Sequence, residues 1–450
     1  MASSISRLIS SVGAATRRVL RGQDGTAATL QTMLSRLLIL GINVVTGIIT
    51  ARTLGPVGRG EQAAMILWSG FLASTMTLGL PSSLVYNLKR YPEEKSQLLC
   101  AALFLSSGLG LAASVIGIVF MPQWLAQYSA EVIYFAQWFM LNTPLALISL
   151  VSLAALEAIG DFTTANQVRF LITLSTLVVL IGFALTRTLT PFTSSLAYTF
   201  SYLPIFIWML IHLWQLFRPH CSGLVTFCRR LVSYGLRSYG IDLLGSLALQ
   251  VDQVLVVGLL SPSAMGIYVV ALSLSRMLNL FQTSIVTVLF PKAAARPIKE
   301  VVFITGLAAR VSIAVTLLAA ILVMILGPLL LRLLYGSEYV GAVAVFRVLI
   351  VEVVLAGTTF VLAQAFMALG RPGIVTILQG VGLGLSVPLM LLLIPAYGLM
   401  GAGFALLAST TARLIFILGC YPLMLKVRPP NLLLMREDLR FLRQMTLKKS

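Results

Sequence analysis

Eight ionisable side chains stand well inside the long apolar runs of this 450-residue chain: Arg36, Asp242, Asp252, Arg276, Arg310, Arg347, Glu352 and Arg413. A charge facing hydrocarbon costs several kcal/mol, so such residues turn toward a polar cavity or a partner. Five of the eight are arginines and three are carboxylates. A cavity lined with that excess attracts an anion, and guanidinium forks match the geometry of phosphate or pyrophosphate. The competing reading of each residue is snorkelling to an interface or a structural ion pair between helices. Arg36 and Arg276 are the foremost substrate-binding candidates. Asp242 and Asp252 join them: ten residues apart on one helix, they lie about 80° apart in projection and can face one cavity. Either can pair with Arg36 or Arg276, or carry a coupling proton or Na+. Arg347 and Glu352, about 140° apart on a helix, are poor partners for each other. Arg310 and Arg413 read as structural or interfacial, and these last four form a second tier of site candidates.

The elements that must position these charges follow from composition. Hydrophobic residues make up 58% of the chain and charged residues 10%, with a mean hydropathy of +0.98, which excludes a water-soluble globular protein of this length. Crossing roughly 30 Å of hydrocarbon takes about 20 apolar residues. Windows of that kind fall at 29–50, 62–86, 97–120, 132–156, 166–187 and 194–216, and then at 233–258, 265–289, 302–327, 341–368, 374–395 and 400–424. Continuous runs of this length fit helices and not the short alternating segments of a membrane barrel.

The net charge of +18 is mostly topogenic. Basic residues gather in the N-terminal arm (Arg7, Arg17, Arg18, Arg21), after span 2 (Lys89, Arg90, Lys95), after span 6 (Arg218, Arg229, Arg230, Arg237), after span 8 (Lys292, Arg296, Lys299) and in the tail. With twelve alternating spans these share one side, while Arg52, Arg59, Arg187 and Arg332 fall on the other, so the positive-inside rule places both termini in the cytoplasm of a bacterial inner membrane. No aromatic-interleaved basic motif accompanies the charge, and nucleic acid is not an expected partner. The first 25 residues lack the apolar core of a signal peptide and read as a cytoplasmic arm. The tail segment Leu439-Arg440-Phe441-Leu442-Arg443 suits either an anionic leaflet or a solvated tail.

Self-comparison exposes a repeat. Leu54-Gly55-Pro56-Val57-Gly58-Arg59-Gly60 after span 1 matches Leu260-Ser261-Pro262-Ser263-Ala264-Met265-Gly266 after span 7 at Leu, Pro and Gly. Ala158-Ile159-Gly160-Asp161 after span 4 likewise matches Ala368-Leu369-Gly370-Arg371 after span 10. Six spans separate the copies, an even number, so the halves enter the membrane in the same direction and rock about a central cavity. The expected fold is an all-α membrane protein of about twelve transmembrane helices in two parallel-repeat six-helix lobes. Its expected parts are a basic arm (1–28), an N-lobe (29–216), a cytoplasmic linker (217–232), a C-lobe (233–424) and a basic tail (425–450).

Other motifs are bland. There is no Walker A loop, no Gly-x-Ser-x-Gly elbow and no metal-binding histidine pair, the only histidines being His212 and His220. An enzyme is not expected, nor is a resident cofactor. Gly380-Val381-Gly382-Leu383-Gly384 lies inside span 11, where small residues let helices approach. Pro81, Pro144, Pro204 and Pro388 fall in or near spans, where they kink helices or serve as hinges. Cys100, Cys221, Cys228 and Cys420 lack metal-ligand spacing; two of them sit in a cytoplasmic loop where disulfides are disfavoured, and none is assigned a role.

Ala51-Arg52-Thr53-Leu54-Gly55-Pro56-Val57-Gly58-Arg59-Gly60 resembles the first-loop pattern of the polysaccharide transporter family, the O-antigen-type flippases of the multidrug/oligosaccharidyl-lipid/polysaccharide exporter superfamily. Pro395-Ala396-Tyr397-Gly398-Leu399-Met400-Gly401-Ala402-Gly403 is similar to that family's pattern entering the twelfth helix. The resemblance implies export of a polyprenyl-pyrophosphate-linked sugar through a cationic cavity formed largely by spans 1, 2, 7 and 8, with Arg36, Asp242, Asp252 and Arg276 in its path. It implies a lipid-linked glycan and membrane lipids as partners, with polysaccharide assembly proteins as further candidates. The lipid II flippase branch carries two more C-terminal spans, which weakens an expectation of peptidoglycan precursor transport. Two alternatives stand beside this reading: multidrug efflux by the same superfamily fold, which favours an acidic or aromatic pocket, and a membrane-embedded glycosyltransferase or polysaccharide polymerase, which needs a larger extramembrane loop.

Overall fold

The computed structural model describes residues 25–293 and 296–432. Arg7, Arg17, Arg18 and Arg21 of the basic arm, and the tail segment around Leu439-Arg440-Phe441, lie outside the described residues.

Among the described residues, eleven helical stretches are long and apolar enough to cross a membrane. The first, Gly25–Thr75, is two helices joined at Gly55, whose φ of 65° and ψ of −178° lie where only glycine goes without strain, and Pro56 then opens the second arm. Counting its arms separately, α1 (25–54) and α2 (56–75), brings the crossings to twelve, the number expected from the apolar windows. The remaining helices are α3 (Leu80–Arg90), α4 (Lys95–Trp124), α5 (Ala130–Phe139), α6 (Thr143–Ala158), α7 (Phe162–Leu185), α8 (Pro191–Phe217), α9 (Leu224–Leu259), α10 (Pro262–Arg276), α11 (Asn279–Ala293), α12 (Ile298–Leu330), α13 (Val343–Ala368), α14 (Pro372–Tyr397) and α15 (Leu399–Cys420). The second crossing of each half is broken in the same way, α2 from α3 at a turn ending in Gly79 and α10 from α11 at Met277.

Local chemistry sets the ends. Asp161 caps α7 by accepting from the Thr164 amide, Thr190 and Thr193 form a reciprocal capping box at the start of α8, and Ser261 accepts from the Ala264 amide to open α10. Pro81 and Pro144 stand at the first turns of α3 and α6, where a missing N–H is harmless, so they start helices; Pro204 and Pro388 lie inside α8 and α14. The stretch 217–232 is helical again from Leu224.

Burial is inverted relative to a water-soluble protein. On α4, Phe104, Leu111, Val115 and Val119 are each about 60% exposed, while Ala101, Ala102, Ala113, Ser106 and Ser114 are buried. Large apolar groups face lipid, and small or weakly polar ones face neighbouring helices. Packing divides the chain into two compact units. One takes the described residues up to Thr53 with Leu72–Val119 and Gln137–Gly240, around a core of Leu84, Leu98, Leu147, Val151 and Met209. The other takes Leu54–Phe71, Phe120–Ala136 and the described residues from Ile241, around Val361, Phe366, Ile417 and Tyr421.

One expectation is corrected. Cys100 on α4 and Cys221 in the turn between α8 and α9 form a disulfide, with Cα atoms 5.6 Å apart, although 121 residues separate them in sequence. Sequence spacing carries no sign of this pair, because it arises only when the end of α8 returns beside the start of α4. There Ser96 donates to the carbonyl of Phe217 at 2.5 Å.

Candidate functional site

α9 carries Asp242 and Asp252, and α10 carries Tyr268 and, in its last turn, Arg276. Asp252 is almost completely buried, its side chain 2% exposed, whereas Arg276 is 36% exposed. A guanidinium NH2 of Arg276 donates to Asp252 Oδ2 at 3.0 Å, and the Tyr268 hydroxyl donates to the same oxygen at 2.9 Å. Asp252 Oδ1 is buried with no hydrogen-bond partner among the described residues. A buried carboxylate costs several kcal/mol unless paired, so Arg276 and Tyr268 are what permit Asp252 to sit there, and its second oxygen stays open as an acceptor.

A second pair lies in the same compact unit. The Thr410 hydroxyl on α15 donates to Glu352 Oε1 on α13 at 2.7 Å, and Arg413 NH2 donates to Thr410 Oγ1 at 2.8 Å, leaving 4.0 Å between the arginine and the carboxylate. Thr410 and Arg413, three residues apart, share one face of α15. The stem of Arg413 passes over Gly382 of α14, where a Cβ would collide with it, and Ser409 donates to the Gly382 carbonyl at 2.7 Å. Of the glycine-rich run inside span 11, Gly382 is the one packed this closely; a Cβ at Gly384 would meet nothing within 4 Å.

The other four charges lie on α1, α9, α12 and α13. Arg36 on α1 and Arg347 on α13 are exposed, and Asp242 is half-buried. Arg310 is buried on α12 and donates to the carbonyl of Asn431 at 3.2 Å. Of the sequence-derived candidates, the structure therefore joins Asp252 to Arg276 and Glu352 to Arg413. Sequence reasoning passed over Tyr268 and Thr410, which complete the two pairs. Neutral hydroxyls in an apolar window raise no charge signal, though Thr410 stands three positions before Arg413. Among the described residues no three His, Cys, Asp or Glu side chains converge as metal ligands.

This arrangement of helices recurs in membrane transporters of known structure. The chain superposes on a lipid II flippase, MurJ, in an inward closed conformation with a TM-score of 0.74 at 14% identity, covering 90% of this chain and 88% of that one. An inward-facing multidrug resistance MATE family transporter of the MOP superfamily matches with a TM-score of 0.67 at 14% identity, covering 85% and 96%. A MOP superfamily transporter from Pyrococcus furiosus, described by the reversed polarity of its binding pocket, matches at 0.55 and 13%, covering 89% and 95%. No curated protein matches the sequence. The protein is thus a multi-pass membrane protein of the fold shared by MurJ and the MATE transporters. By the match of residues 26–295, more than half its length, it belongs to the polysaccharide biosynthesis protein family.

Proposed function

We propose that the protein is a flippase that moves a polyprenyl-pyrophosphate-linked oligosaccharide or polysaccharide precursor across a bacterial inner membrane by alternating access, with both termini in the cytoplasm. The observation that carries this reading is the polysaccharide biosynthesis family match, made by a chain whose fold recurs in a lipid II flippase. The excess of arginine over carboxylate inside the spans supports an anionic cargo over the organic cations of a drug exporter. Transport, not catalysis, is the activity.

Arg36 and Arg276 are assigned to the pyrophosphate. Arg276 spends one donor on Asp252 and is exposed enough to offer the rest of its fork to a ligand. Asp252 is the coupling group: a proton or Na+ reaching its open oxygen cancels the negative charge and loosens its hold on Arg276. Asp242 is the second acidic group of this path.

Proteoliposomes carrying a fluorescent undecaprenyl-pyrophosphate glycan test the reading. The wild-type protein translocates the glycan, and Arg36→Ala and Arg276→Ala lose that activity. Wild-type vesicles that fail to translocate it overturn the function, and normal transport by both variants overturns the assigned site. Deletion in cells that changes drug sensitivity and leaves surface polysaccharide intact moves the assignment to drug efflux.

A further inference from the structure

In the first compact unit, α3, α6 and the start of α9 line a shallow, open depression of about 780 Å³. α3 is built for two environments. Leu80, Leu84 and Leu88 follow one face into the core, while Ser82, Tyr86 and Lys89 follow the other and, with Arg90, line the cavity. Glu157 of α6 and Tyr234 of α9 complete the polar part of the wall. The rings of Tyr86 and Tyr234 stack at 4.2 Å with their planes 14° apart, and Tyr86 is 40% exposed.

The charge of this wall is left positive. Glu157 is held by Arg169 at 2.5 Å, and Glu94, just beyond α3, is held by Arg230, which also lies over the Tyr91 ring. Each of these carboxylates therefore has an arginine of its own outside the cavity. Arg90 donates to the neutral Tyr91 hydroxyl at 3.2 Å, and among the described residues no carboxylate pairs with Lys89 or Arg90. Two adjacent cations without counter-charge suit a doubly charged anion: Arg offers a fork and Lys a point charge. Beside them a stacked tyrosine pair, with Val85 and Ala154 behind it, offers flat apolar faces and hydroxyls, the surface on which the C–H face of a sugar ring packs.

We propose that this cavity binds the head of a diphosphate-linked sugar, the diphosphate on Lys89 and Arg90 and the first sugar ring on the open faces of the Tyr86–Tyr234 stack. It rests on the flippase reading only for the lipid tail, since sugar diphosphates also occur as soluble nucleotide conjugates. For a lipid-linked cargo, it is a loading site in the unit that carries the basic loops after spans 2 and 6, separate from Arg276 and Asp252.

The full-length protein in neutral phosphatidylethanolamine nanodiscs tests this by titration with three probes: farnesyl-diphosphate-linked N-acetylglucosamine, uridine-diphosphate N-acetylglucosamine and inorganic pyrophosphate. Lys89→Ala/Arg90→Ala, at exposed positions, weakens binding of the sugar diphosphates tenfold or more, while Lys89→Arg keeps it. Tyr86→Ala weakens the sugar conjugates and spares pyrophosphate. Preference for the farnesyl conjugate assigns the lipid-linked source, and equal binding of the uridine conjugate assigns the soluble one. Unchanged affinity in the double variant, or displacement of the conjugates by phosphatidylglycerol alone, overturns the site. The two proposals fail separately. If Arg276→Ala stops translocation while the double variant binds and transports as wild type does, the cavity is wrong and the flippase stands. If wild type binds the conjugate through Lys89 yet never translocates it, the cavity stands and the flippase falls.

Discussion

Gly60 and Gly266 hold equivalent places in the two halves of the sequence, 206 positions apart, and their backbones cross. A Cβ built on either stands 3.0 Å from the backbone nitrogen of the other. The relation is reciprocal one turn earlier as well: a Cβ on Gly60 would run into the carbonyl of Pro262, and one on Gly266 into the carbonyl of Pro56. Equivalent residues that contact each other reciprocally lie on a local two-fold axis. The repeat read from two short loop motifs is thus also a contact in space, and only glycine allows the approach.

Alanine at this crossing is expected to destabilise the protein. The obstacle in both cases is backbone and cannot rotate away, so the cost lies at or above the ~1–3 kcal/mol of ordinary overpacking. Gly41→Ala is the control, because a Cβ there meets nothing within 4 Å. Thermal unfolding in detergent should rank Gly60→Ala and Gly266→Ala well below wild type and Gly41→Ala level with it or above; equal midpoints for all three would dissolve the crossing.

Truncating Arg276 leaves Asp252 buried with only the Tyr268 hydroxyl for company, a loss of about 3–5 kcal/mol. Replacing both charges removes the stranded carboxylate. Asp252→Asn/Arg276→Gln should therefore unfold at a higher temperature than Arg276→Ala while still failing to transport. A double variant no more stable than the single one would show that the pair does not couple.

Thr410 makes a narrower case. Its hydroxyl is both acceptor for Arg413 and donor to Glu352, with the two charges 4.0 Å apart, so Thr410→Val leaves each without its direct partner while keeping the volume. A stability loss of about 1–3 kcal/mol is expected, and Thr410→Ser should recover most of it. If valine is tolerated as well as serine, the charges find each other without the bridge.

The helices were legible because bilayer thickness writes itself into the chain as apolar length. The charged candidates were legible because arginine and carboxylate are conspicuous there. Pairing was not: Asp252 lies 24 residues from Arg276 and Glu352 lies 61 from Arg413, and helical periodicity says which face a residue takes but not which neighbouring helix supplies its partner. The same blindness hid the cavity beside α3. Its lysine and arginine counted only as topogenic charge, and its tyrosines lie 148 residues apart.

The Cys100–Cys221 bond yields a direct count. Cys228 and Cys420 are free. Protein unfolded without reductant should accept a maleimide mass tag at two of its four cysteines, and at all four after reduction. Four tags before reduction would mean that the thiols stay open where this turn resides, as a reducing compartment favours.

Asp161, between the fourth and fifth crossings, supplies a pH signature. Its Oδ1 accepts from the Thr164 amide at 3.1 Å and its Oδ2 lies 3.1 Å from His212 Nε2. Partial burial pushes its pKa upward, but the bonds from Thr164 and the neighbouring His212 outweigh that and hold it below the ordinary 3.8. A carboxylate depressed on folding contributes stability that is complete above its unfolded value and is lost as pH falls through its folded one. Asparagine can cap the helix but carries no charge. The gap in unfolding temperature between wild type and Asp161→Asn should therefore be present at about pH 5 and close as pH drops below 3.8. If it stays constant to about pH 3, the charge on Asp161 does nothing for the fold, and the helix end is held by cap geometry alone.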